Sequence, residues 1–232
     1  MTDLKILHCF ADHGTEAEAL GRYGDVVRVG IDPRDTNDSA PIRADAHALP
    51  FEGETFDLGV FHPPCTRWSD MPSANKAGEA PNLIPLAREM AEEHCEEWVI
   101  ENKPRAPLEE PTILNGKMFG LPIAYERAFE TSFDVDQPPR QAFLPDTEGT
   151  SYFHSEHSRA WWASVKGITA EPYTKHAIAK NALPAPYIHH LLRAYLEATG
   201  RADGPSDYTG YDKRKTAERA REANHDLAAY TD

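Results

Sequence analysis

Short apolar runs and amphipathic stretches alternate along the first hundred residues of the chain. The apolar runs predict strands over residues 4–10, 26–31, 57–61 and 97–100, with a short third strand ending at Ala44-Asp45-Ala46. Helical spacing predicts helices over residues 15–23 and 83–94, with Thr15 as the cap of the first helix. Strands that alternate with helices are typical of a mostly parallel sheet flanked by helices, so the predicted fold class is α/β.

The second half of the chain is less regular than the first. It predicts a proline-rich loop over residues 104–115, two short strands or one bent strand over 121–133, and helices over 155–164 and 184–199. We expect one domain over residues 1–200, with a short irregular insert at about 134–175. Residues 201–232 are expected to form a linker, rich in Gly, Pro, Ser, Asp and Tyr, followed by a charged C-terminal helix or tail.

Charge is the unusual part of the composition. The 232 residues include 38 acidic and 24 basic side chains, a net charge of −14. DNA affinity normally depends on Lys and Arg that neutralise phosphates, so this surface does not suit a polyanion. Two explanations stay open: a partner that is not nucleic acid, or a protein from a very salty cytoplasm, where charges are screened and acidic surfaces stay hydrated. The halophilic explanation is favoured, and four cations stand near the candidate site: Arg67, Lys103, Arg105 and Arg127.

Cysteine usage and missing motifs narrow the function classes. Three cysteines without CxxC spacing argue against a disulfide framework or a zinc site and favour a reduced, cytoplasmic compartment; Cys9 and Cys95 are expected inside a strand and a helix, as core. Without a signal peptide or an apolar run of membrane-spanning length, we expect a soluble protein with no membrane partner. There is no phosphate-binding GxxxxGK[ST] loop, GxSxG elbow or HExxH pair. We expect no bound metal, because the later histidines do not form a ligand set: His154, His157, His176, His189 and His190.

Two short motifs follow predicted strands and carry reactive side chains. Pro63-Pro64-Cys65 comes after the run 57–61, and Glu101-Asn102 follows the run 97–100. Because the carboxyl ends of parallel strands meet at the edge where open α/β proteins bind ligands, these side chains can converge. A thiol on a stiff Pro-Pro segment, with Arg67 nearby to favour thiolate, is a candidate nucleophile, although a lone Cys is more often a small buried hydrophobe. Glu101, beside apolar strand residues, is expected to have a raised pKa and to be protonated near neutrality.

Other polar residues near strand ends could hold a nucleoside or assist the chemistry. Asp32 ends the second predicted strand, where Rossmann-like folds bind ribose hydroxyls, or it is an ordinary turn residue. Asp45 could accept a bond from an exocyclic amine, or be a surface acid. The first turn has a single glycine, Gly14, where a dinucleotide fingerprint needs three, which argues against NAD or FAD. Arg127 could hold Glu101 and donate to a substrate carbonyl, or be a surface charge.

The order of these motifs over residues 4 to about 198 resembles that of the cytosine-5 DNA methyltransferases, and most of all the compact methylase-like proteins of tailed viruses. The resemblance rests on Phe10, Gly14, Asp32, Asp45, Pro63-Pro64-Cys65, Glu101-Asn102, Arg127 and Asn181, with further counterparts at 116–121 and 127–133. It implies a Rossmann-like fold, the cofactor S-adenosyl-L-methionine and methylation of C5 of cytosine in DNA. A viral protein would act in the cytoplasm of its host.

The resemblance also implies a role for each matching residue. The cofactor would contact six of them: Phe10 and Gly14 in the first turn, Asp32 at the ribose, Asp45 at the adenine amine, Pro63, and Asn181 near the methionine end. Cys65 would attack cytosine C6, protonated Glu101 would hold N3, and Arg127 would contact O2 and orient the carboxyl group. The substrate would also contact Pro64, Arg67, Asn102 and Lys103, and the target base would leave the stack to reach this pocket.

The chain departs from the family pattern in ways that leave its substrate open. His8 stands where the family usually carries an acid, Lys103 replaces a small apolar residue, and Tyr125 stands where a first Arg is common. The segment between Phe133 and Lys175 is too short for a large target-recognition domain, so sequence selectivity could be low or supplied by a partner. The alternatives are the same chemistry on RNA or on a free pyrimidine nucleotide, and a catalytically silent methyltransferase fold that serves as a binding protein.

Overall fold

The computed structural model describes residues 4–34, 41–53, 55–68, 79–139 and 157–201. They form a seven-stranded sheet in the spatial order β3-β2-β1-β4-β5-β7-β6. The strands are β1 (Leu4–Cys9), β2 (Gly24–Gly30), β3 (Pro41–Arg43), β4 (Phe56–Phe61), β5 (Cys95–Asn102), β6 (Thr112–Leu114) and β7 (Arg127–Thr131). The helices are α1 (Ala17–Leu20), α2 (Ile84–His94), α3 (Arg159–Lys166) and α4 (Ala185–Ala198), and a turn of π-helix covers Ala177–Asn181.

The first five strands are parallel, and the last two complete one end of the sheet. β1 pairs in parallel with β2 and β4, β2 with β3, and β4 with β5. β7 is antiparallel to both β5 and β6. The strand order changes direction between β1 and β4, and such a switch point is where open α/β sheets bind ligands. The predicted α/β fold, a mostly parallel sheet flanked by helices, is confirmed.

Hydrophobic layers cover both faces of the sheet, because side chains along a strand alternate between the faces. On the face covered by α1, α3 and α4, the core is built around aromatic side chains such as Trp161 and Tyr187. On the opposite face, Leu7 and Phe61 pack against α2. Close packing on both sides holds the carboxyl ends of β1, β4 and β5 in fixed positions.

The helix predicted over residues 15–23 is much shorter in the structure. Only Ala17–Leu20 is helical, and no side chain caps its first turn. The predicted cap is wrong because the Thr15 hydroxyl donates to the Glu16 carboxylate at 2.8 Å instead. The same carboxylate accepts the backbone N–H of Leu183 at 2.8 Å, which ties this turn to the segment before α4.

Three other predictions differ from the structure. The loop predicted over residues 104–115 contains β6, whereas the region 121–133 contains one strand, β7, which is one of the two arrangements predicted for it. The helix predicted over 155–164 is α3, which begins after the N-cap Ser158. Cys95, expected inside a helix, is the first residue of β5 and is half-buried.

The remaining strands and helices match the sequence prediction. Apolar runs predicted four strands at the right places: β1, β2, β4 and β5. The predicted ends of α2 and α4 agree with the structure to within one residue. The short strand β3 ends at Arg43 instead of Ala46. Within the described ranges, no helix is long and apolar enough to cross a membrane. Residues 140–156 of the predicted insert and residues 202–232 of the predicted linker and tail lie outside the described residues.

His189 of α4 makes the stability of this fold depend on pH. Its buried ring bonds the hydroxyl of Tyr23 at 3.2 Å, and burial, together with the charge of Arg22, lowers its pKa to about 3. An unfolded chain takes up this proton near the ordinary pKa of 6.5, whereas the folded chain does so only near 3. Stability therefore falls as the pH drops through that window, by roughly 2 kcal/mol between pH 7 and pH 5.

We expect the free energy of urea unfolding to fall much less between pH 7 and pH 5 in His189→Gln than in wild type. Glutamine can still bond Tyr23 but does not titrate in this range. His190→Gln is the matched control, because that half-buried ring donates from Nε2 to the carbonyl of Asp136 at 2.7 Å, and it should keep the wild-type dependence. Identical pH dependence in wild type and His189→Gln would contradict the prediction.

Candidate active site

The carboxyl edge of the sheet collects polar side chains on the face covered by α1, α3 and α4. Residues two positions apart along a strand point to the same face. The core residues two positions before His62 and Glu101, and two positions after Arg127, all belong to that face. Because β7 is antiparallel to β5, Arg127 begins its strand at the edge where β5 ends.

Glu101 and Arg127 form a buried ion pair at this edge. Nε of Arg127 lies 3.0 Å from Oε1 of Glu101, and the two side chains are 4% and 10% exposed. Nδ1 of His62 donates to the other carboxylate oxygen, Oε2, at 3.2 Å. Nη2 of Arg127 donates to the Tyr125 hydroxyl and, at 3.3 Å, to the carbonyl of Lys180. These contacts fix the orientation of both charged groups.

One expectation about Glu101 is wrong. Burial does act to raise its pKa, but the charge of Arg127 and the hydrogen bond from His62 act the other way and prevail, so the pKa lies below its ordinary value. Glu101 is therefore a carboxylate in this arrangement and not a carboxylic acid. The same contact with Glu101 raises the pKa of His62 against the effect of burial. The sequence did not show that Arg127 and His62 outweigh the effect of burial on the pKa of Glu101, because the three residues are far apart along the chain.

Tyr125 and Lys166 complete the surroundings of the ion pair. Nζ of Lys166 lies 3.6 Å from the centroid of the Tyr125 ring and donates to the carbonyls of Ala179 and Ala182 at 3.1 and 2.6 Å. Burial and the charge of Arg127 lower the pKa of Lys166 well below its ordinary value. Lys166 thereby fastens the end of α3 and the π-helical turn to the site.

Cys65 follows β4 in a loop that leads into a short 3-10 turn over Thr66–Trp68, and it is half-buried. Asn102 fixes this loop, because its Nδ2 donates to the carbonyl of Pro63 at 2.9 Å and its Oδ1 accepts the N–H of Lys103 at 2.9 Å. Asn102 is fully buried. Its geometry is that of a residue that positions the Pro-Pro-Cys loop, whereas the sequence predicted a substrate contact.

The structure brings the three predicted catalytic residues, Cys65, Glu101 and Arg127, to one edge of the sheet. Burial would lower the pKa of Arg127, but Tyr125, Glu101 and the Cys65 sulfur raise it above its ordinary value. Of the other predicted substrate contacts, Arg67 donates to the carbonyl of Ala80 at 2.8 Å. Lys103 is half-buried, and Pro64 is exposed.

A cavity of about 280 Å³ lies beside Pro64, over the carboxyl ends of β1 and β2. Its lining is mainly apolar and includes Phe10, Ile31 and Leu49, with Asp12 and Asp45 as acids. Ile31 is 61% exposed, whereas most large apolar side chains of the described residues are buried. An apolar cavity with a few convergent polar groups is the usual composition of a small-molecule site.

Of the six predicted cofactor contacts, Phe10 and Asp45 line this cavity, and Gly14 lies in the turn between β1 and α1. Phe10 has a φ of 57°, a left-handed conformation that is uncommon for a bulky residue and turns the chain sharply after β1. Gly14 has a φ of 65°, and a Cβ there would meet Nη1 of Arg28 at 2.3 Å, so only glycine fits. Oδ1 of Asp45 accepts the N–H and the ring Nδ1 of His47 at 3.0 and 2.9 Å, and these bonds lower the pKa of Asp45.

The remaining predicted cofactor residues lie outside the cavity lining. Asp32 is exposed just past β2, where it pairs with Arg43, and its N–H donates to Oδ1 of Asp12 at 3.0 Å. Pro63 is a buried residue of the Cys65 loop, and Asn181 is exposed at the end of the π-helical turn. Asp12, which sequence reasoning passed over, both lines the cavity and holds the backbone at Asp32.

Sequence reasoning also missed Glu16, His62 and Lys166. The sequence could have indicated His62, because it stands directly before the Pro-Pro-Cys motif. Glu16 and Lys166 had none, because their partners come from remote parts of the chain.

Cys65 should be the thiol that reacts first in the folded protein. Burial raises the pKa of Cys95 to about 12 and raises that of Cys9 further, so both are almost entirely protonated at pH 8. We expect brief treatment with iodoacetamide, followed by peptide mass spectrometry, to find the label on Cys65 alone, and to find none in folded Cys65→Ser. Labelling of all three thiols after denaturation is the control. Equal labelling of Cys95 in the folded protein would contradict the expectation.

Comparison with solved structures finds the same fold in two methyltransferases. The methyltransferase EhMeth of Entamoeba histolytica superposes with a TM-score of 0.55, covering 85% of this chain and 99% of its own, at 8% sequence identity. The Dnmt2 methyltransferase of S. pombe superposes with a TM-score of 0.52, covering 84% of this chain and 98% of its own, at 11% identity. No protein-family model matches the sequence, and no curated protein matches it. The chain therefore has the Rossmann-like fold of these methyltransferases, in agreement with the fold that its motifs predicted.

Proposed function

We propose that the protein is a DNA (cytosine-5-)-methyltransferase that uses S-adenosyl-L-methionine. The observation that carries the proposal is the position of Cys65. This half-buried thiol follows Pro64, which lines the apolar cavity, and it lies within electrostatic reach of the Glu101–Arg127 pair. A nucleophile, a carboxyl group and a cation at one sheet edge form the set that covalent activation of a pyrimidine needs.

The cavity fits the nucleoside part of the proposed cofactor. Its apolar side chains, Phe10, Ile31 and Leu49, offer surfaces to a purine ring, and Asp45 offers an acceptor to an exocyclic amine. Asp32, just past β2, is near enough to this edge to be the proposed ribose contact, while Gly14, Pro63 and Asn181 are proposed to shape the approach to the cavity. Bound there, S-adenosylmethionine would supply an electrophilic methyl group beside Cys65.

The chain's own residues would activate the base. The Cys65 sulfur would form a bond to C6 of cytosine, which places negative charge on the ring. Glu101, a carboxylate in the free protein, would take up a proton from solvent as the base enters and donate it to N3, and Arg127 would hold Glu101 and reach O2. C5 would become nucleophilic and take the methyl group from the sulfonium sulfur, leaving S-adenosylhomocysteine. A base would then remove the C5 proton, and the C6–S bond would break to release Cys65. Asn102 would keep the Cys65 loop in place throughout.

A few residues close to Cys65 would bind the substrate strand. Pro64, Arg67 and Lys103 lie around Cys65, and the cations among them would meet phosphate or base edges. The target base would have to leave the stack, because a base that stays paired inside a duplex cannot enter a pocket at the edge of the sheet. RNA or a free pyrimidine nucleotide remain alternative substrates for the same chemistry, and a separate partner could supply specificity. We place the reaction in the cytoplasm, which is the host cytoplasm if the protein is viral.

The test is transfer of labelled methyl from S-adenosylmethionine to unmodified DNA, with nucleoside analysis of the product. We expect 5-methylcytosine from wild type and a loss of at least 1000-fold in rate from Cys65→Ser, because the hydroxyl is a much weaker nucleophile. An oligonucleotide that contains 5-fluorocytosine should form a stable adduct with wild type, since fluorine cannot leave as a proton does. The Cys65→Ser variant should form none.

Cys95→Ser is the matched control, because Cys95 is also half-buried but begins β5, at the opposite end of that strand from Glu101. This variant should keep both methyl transfer and adduct formation. If methyl were transferred only to RNA or only to cytidine nucleotides, that molecule and not DNA would be the substrate. Full activity of Cys65→Ser would exclude the proposed mechanism, and cofactor binding without transfer to any substrate would favour a silent binding protein.

The net charge of −14 leads to a prediction about salt. If the acidic surface is an adaptation to a salty cytoplasm, the urea midpoint of unfolding should rise steadily from low to molar potassium chloride, because screening relieves repulsion among carboxylates. Methyl transfer should have its optimum in the same range. A fully folded, maximally stable protein at low salt would contradict the halophilic explanation.

A further inference from the structure

Two buried side chains and one half-buried side chain next to the Glu101–Arg127 pair bring their metal-ligating atoms close together. His8 near the end of β1, Glu16 before α1 and His62 after β4 each offer one such atom, and all of these atoms lie within 4.8 Å of one another. His8 is fully buried, Glu16 is buried, and the His62 side chain is 13% exposed. None of them contacts the base or the cofactor in the proposed methyl transfer, in which His62 acts only by bonding Glu101.

The free atoms in this group are those a metal would use. Among the described residues, neither ring nitrogen of His8 has a hydrogen-bond partner, and neither does Nε2 of His62. Buried polar atoms without partners are rare in proteins and call for an explanation. Glu16 uses Oε1 for the hydroxyl of Thr15 and the N–H of Leu183, and its Oε2 lies 3.8 Å from Nε2 of His8.

The tautomer of His62 is suited to coordination. Its Nδ1 donates to Glu101 at 3.2 Å, so in the neutral ring Nε2 carries the lone pair on the side facing the group. A histidine that donates one ring N–H to a carboxylate while the other nitrogen binds metal is the usual arrangement around protein-bound zinc. Burial, and the neighbouring charges of His62 and Arg28, lower the pKa of His8, so that ring is neutral. The carboxylates of Glu101 and Glu16 raise the pKa of His62 against the effect of burial, so a metal would displace a proton from His62 when it binds.

We propose that His8, Glu16 and His62 form a binding site for one divalent transition-metal cation of the zinc class. Two imidazole nitrogens and one carboxylate oxygen are borderline ligands that such cations prefer over Mg²⁺ or Ca²⁺. Ligands on one tetrahedral zinc ion lie roughly 3.4 Å apart, so modest side-chain rotations would close the present spacing. A fourth position would remain for water or another ligand.

Charge around the group is compatible with a cation. Two carboxylates, Glu16 and Glu101, lie next to the rings. Two opposing charges lie nearby. Arg127 pairs with Glu101, and the guanidinium of Arg28 is directed at backbone oxygens, with Nη1 donating to the carbonyl of Ala11 at 3.2 Å and Nη2 to the carbonyl of Arg34. A cation here would join β1, β4 and the turn before α1, and it would stand one side chain away from Glu101.

The experiment uses the full chain, stripped of metal with a chelator, then loaded with zinc and dialysed. We expect one zinc per chain by inductively coupled plasma mass spectrometry, and a loss of affinity of at least about 100-fold in His8→Gln and in Glu16→Gln. Glu16→Gln keeps an oxygen for the N–H of Leu183, so it tests the site with little effect on folding. Circular dichroism and the urea midpoint would verify that both variants are folded.

Cobalt provides a readout that needs no variant of the site. Bound Co²⁺ should give the visible bands of a low-symmetry nitrogen and oxygen site without a sulfur charge-transfer band, and the spectrum should persist in Cys65→Ser. His190→Gln, which changes a histidine remote from the group, should bind zinc like wild type. The proposal would be overturned if wild type bound less than one zinc per chain, or if His8→Gln and Glu16→Gln retained as much zinc as wild type. Buried water would then be the explanation for the unpartnered atoms. Because the readout is metal content, failure of methyl transfer would not affect it.

Discussion

The buried ion pair between Glu101 and Arg127 is the constraint to which the rest of the site conforms. Charged groups removed from water destabilise a fold unless partners surround them, and each partner here comes from a different element. His62 follows β4 and bonds the carboxylate, while the Tyr125 hydroxyl and the Lys180 carbonyl accept from the guanidinium. The antiparallel β7 is what makes this possible, because a strand entering at the carboxyl edge can place its first residue, Arg127, against the end of β5.

A buried pair of this kind is poor evidence for stability, since apolar side chains of the same size would often be at least as stabilising. Its presence therefore needs another reason. The pair lies beside a half-buried thiol at the carboxyl edge of the sheet, on β5 and β7, next to the switch point between β1 and β4. At such a place a fixed carboxyl group and guanidinium are already oriented for a reacting ring, so little reorganisation is needed once Glu101 has taken up a proton and negative charge develops on the ring.

Much of the fold could be predicted from the sequence because its signals are local. The strands β1, β2, β4 and β5 are apolar runs, and α2 and α4 have long helical patterns. The predictions failed where a distant contact decided the outcome. β6 has only three residues and exists because β7 pairs with it, and the cap of α1 failed because Glu16 takes the Thr15 hydroxyl and bonds Leu183 from far along the chain. In the site, motif order predicted that Cys65, Glu101 and Arg127 come together, and the structure has all three at one edge of the sheet, but the lowered pKa of Glu101 depends on a geometry that no motif encodes.

The net charge and the proposed substrate can be reconciled only if recognition is local. A chain with 38 acidic and 24 basic residues repels a polyanion at long range when salt is low. Within a Debye length of a few ångströms, at high salt, only the charges nearest the base matter. Around Cys65 those charges are Arg67, Lys103 and Arg127, and Arg127 is already neutralised in part by Glu101. Affinity would then depend on capture of the flipped base in the pocket more than on phosphate contacts, which favours single-stranded or easily opened target positions, where unstacking costs least.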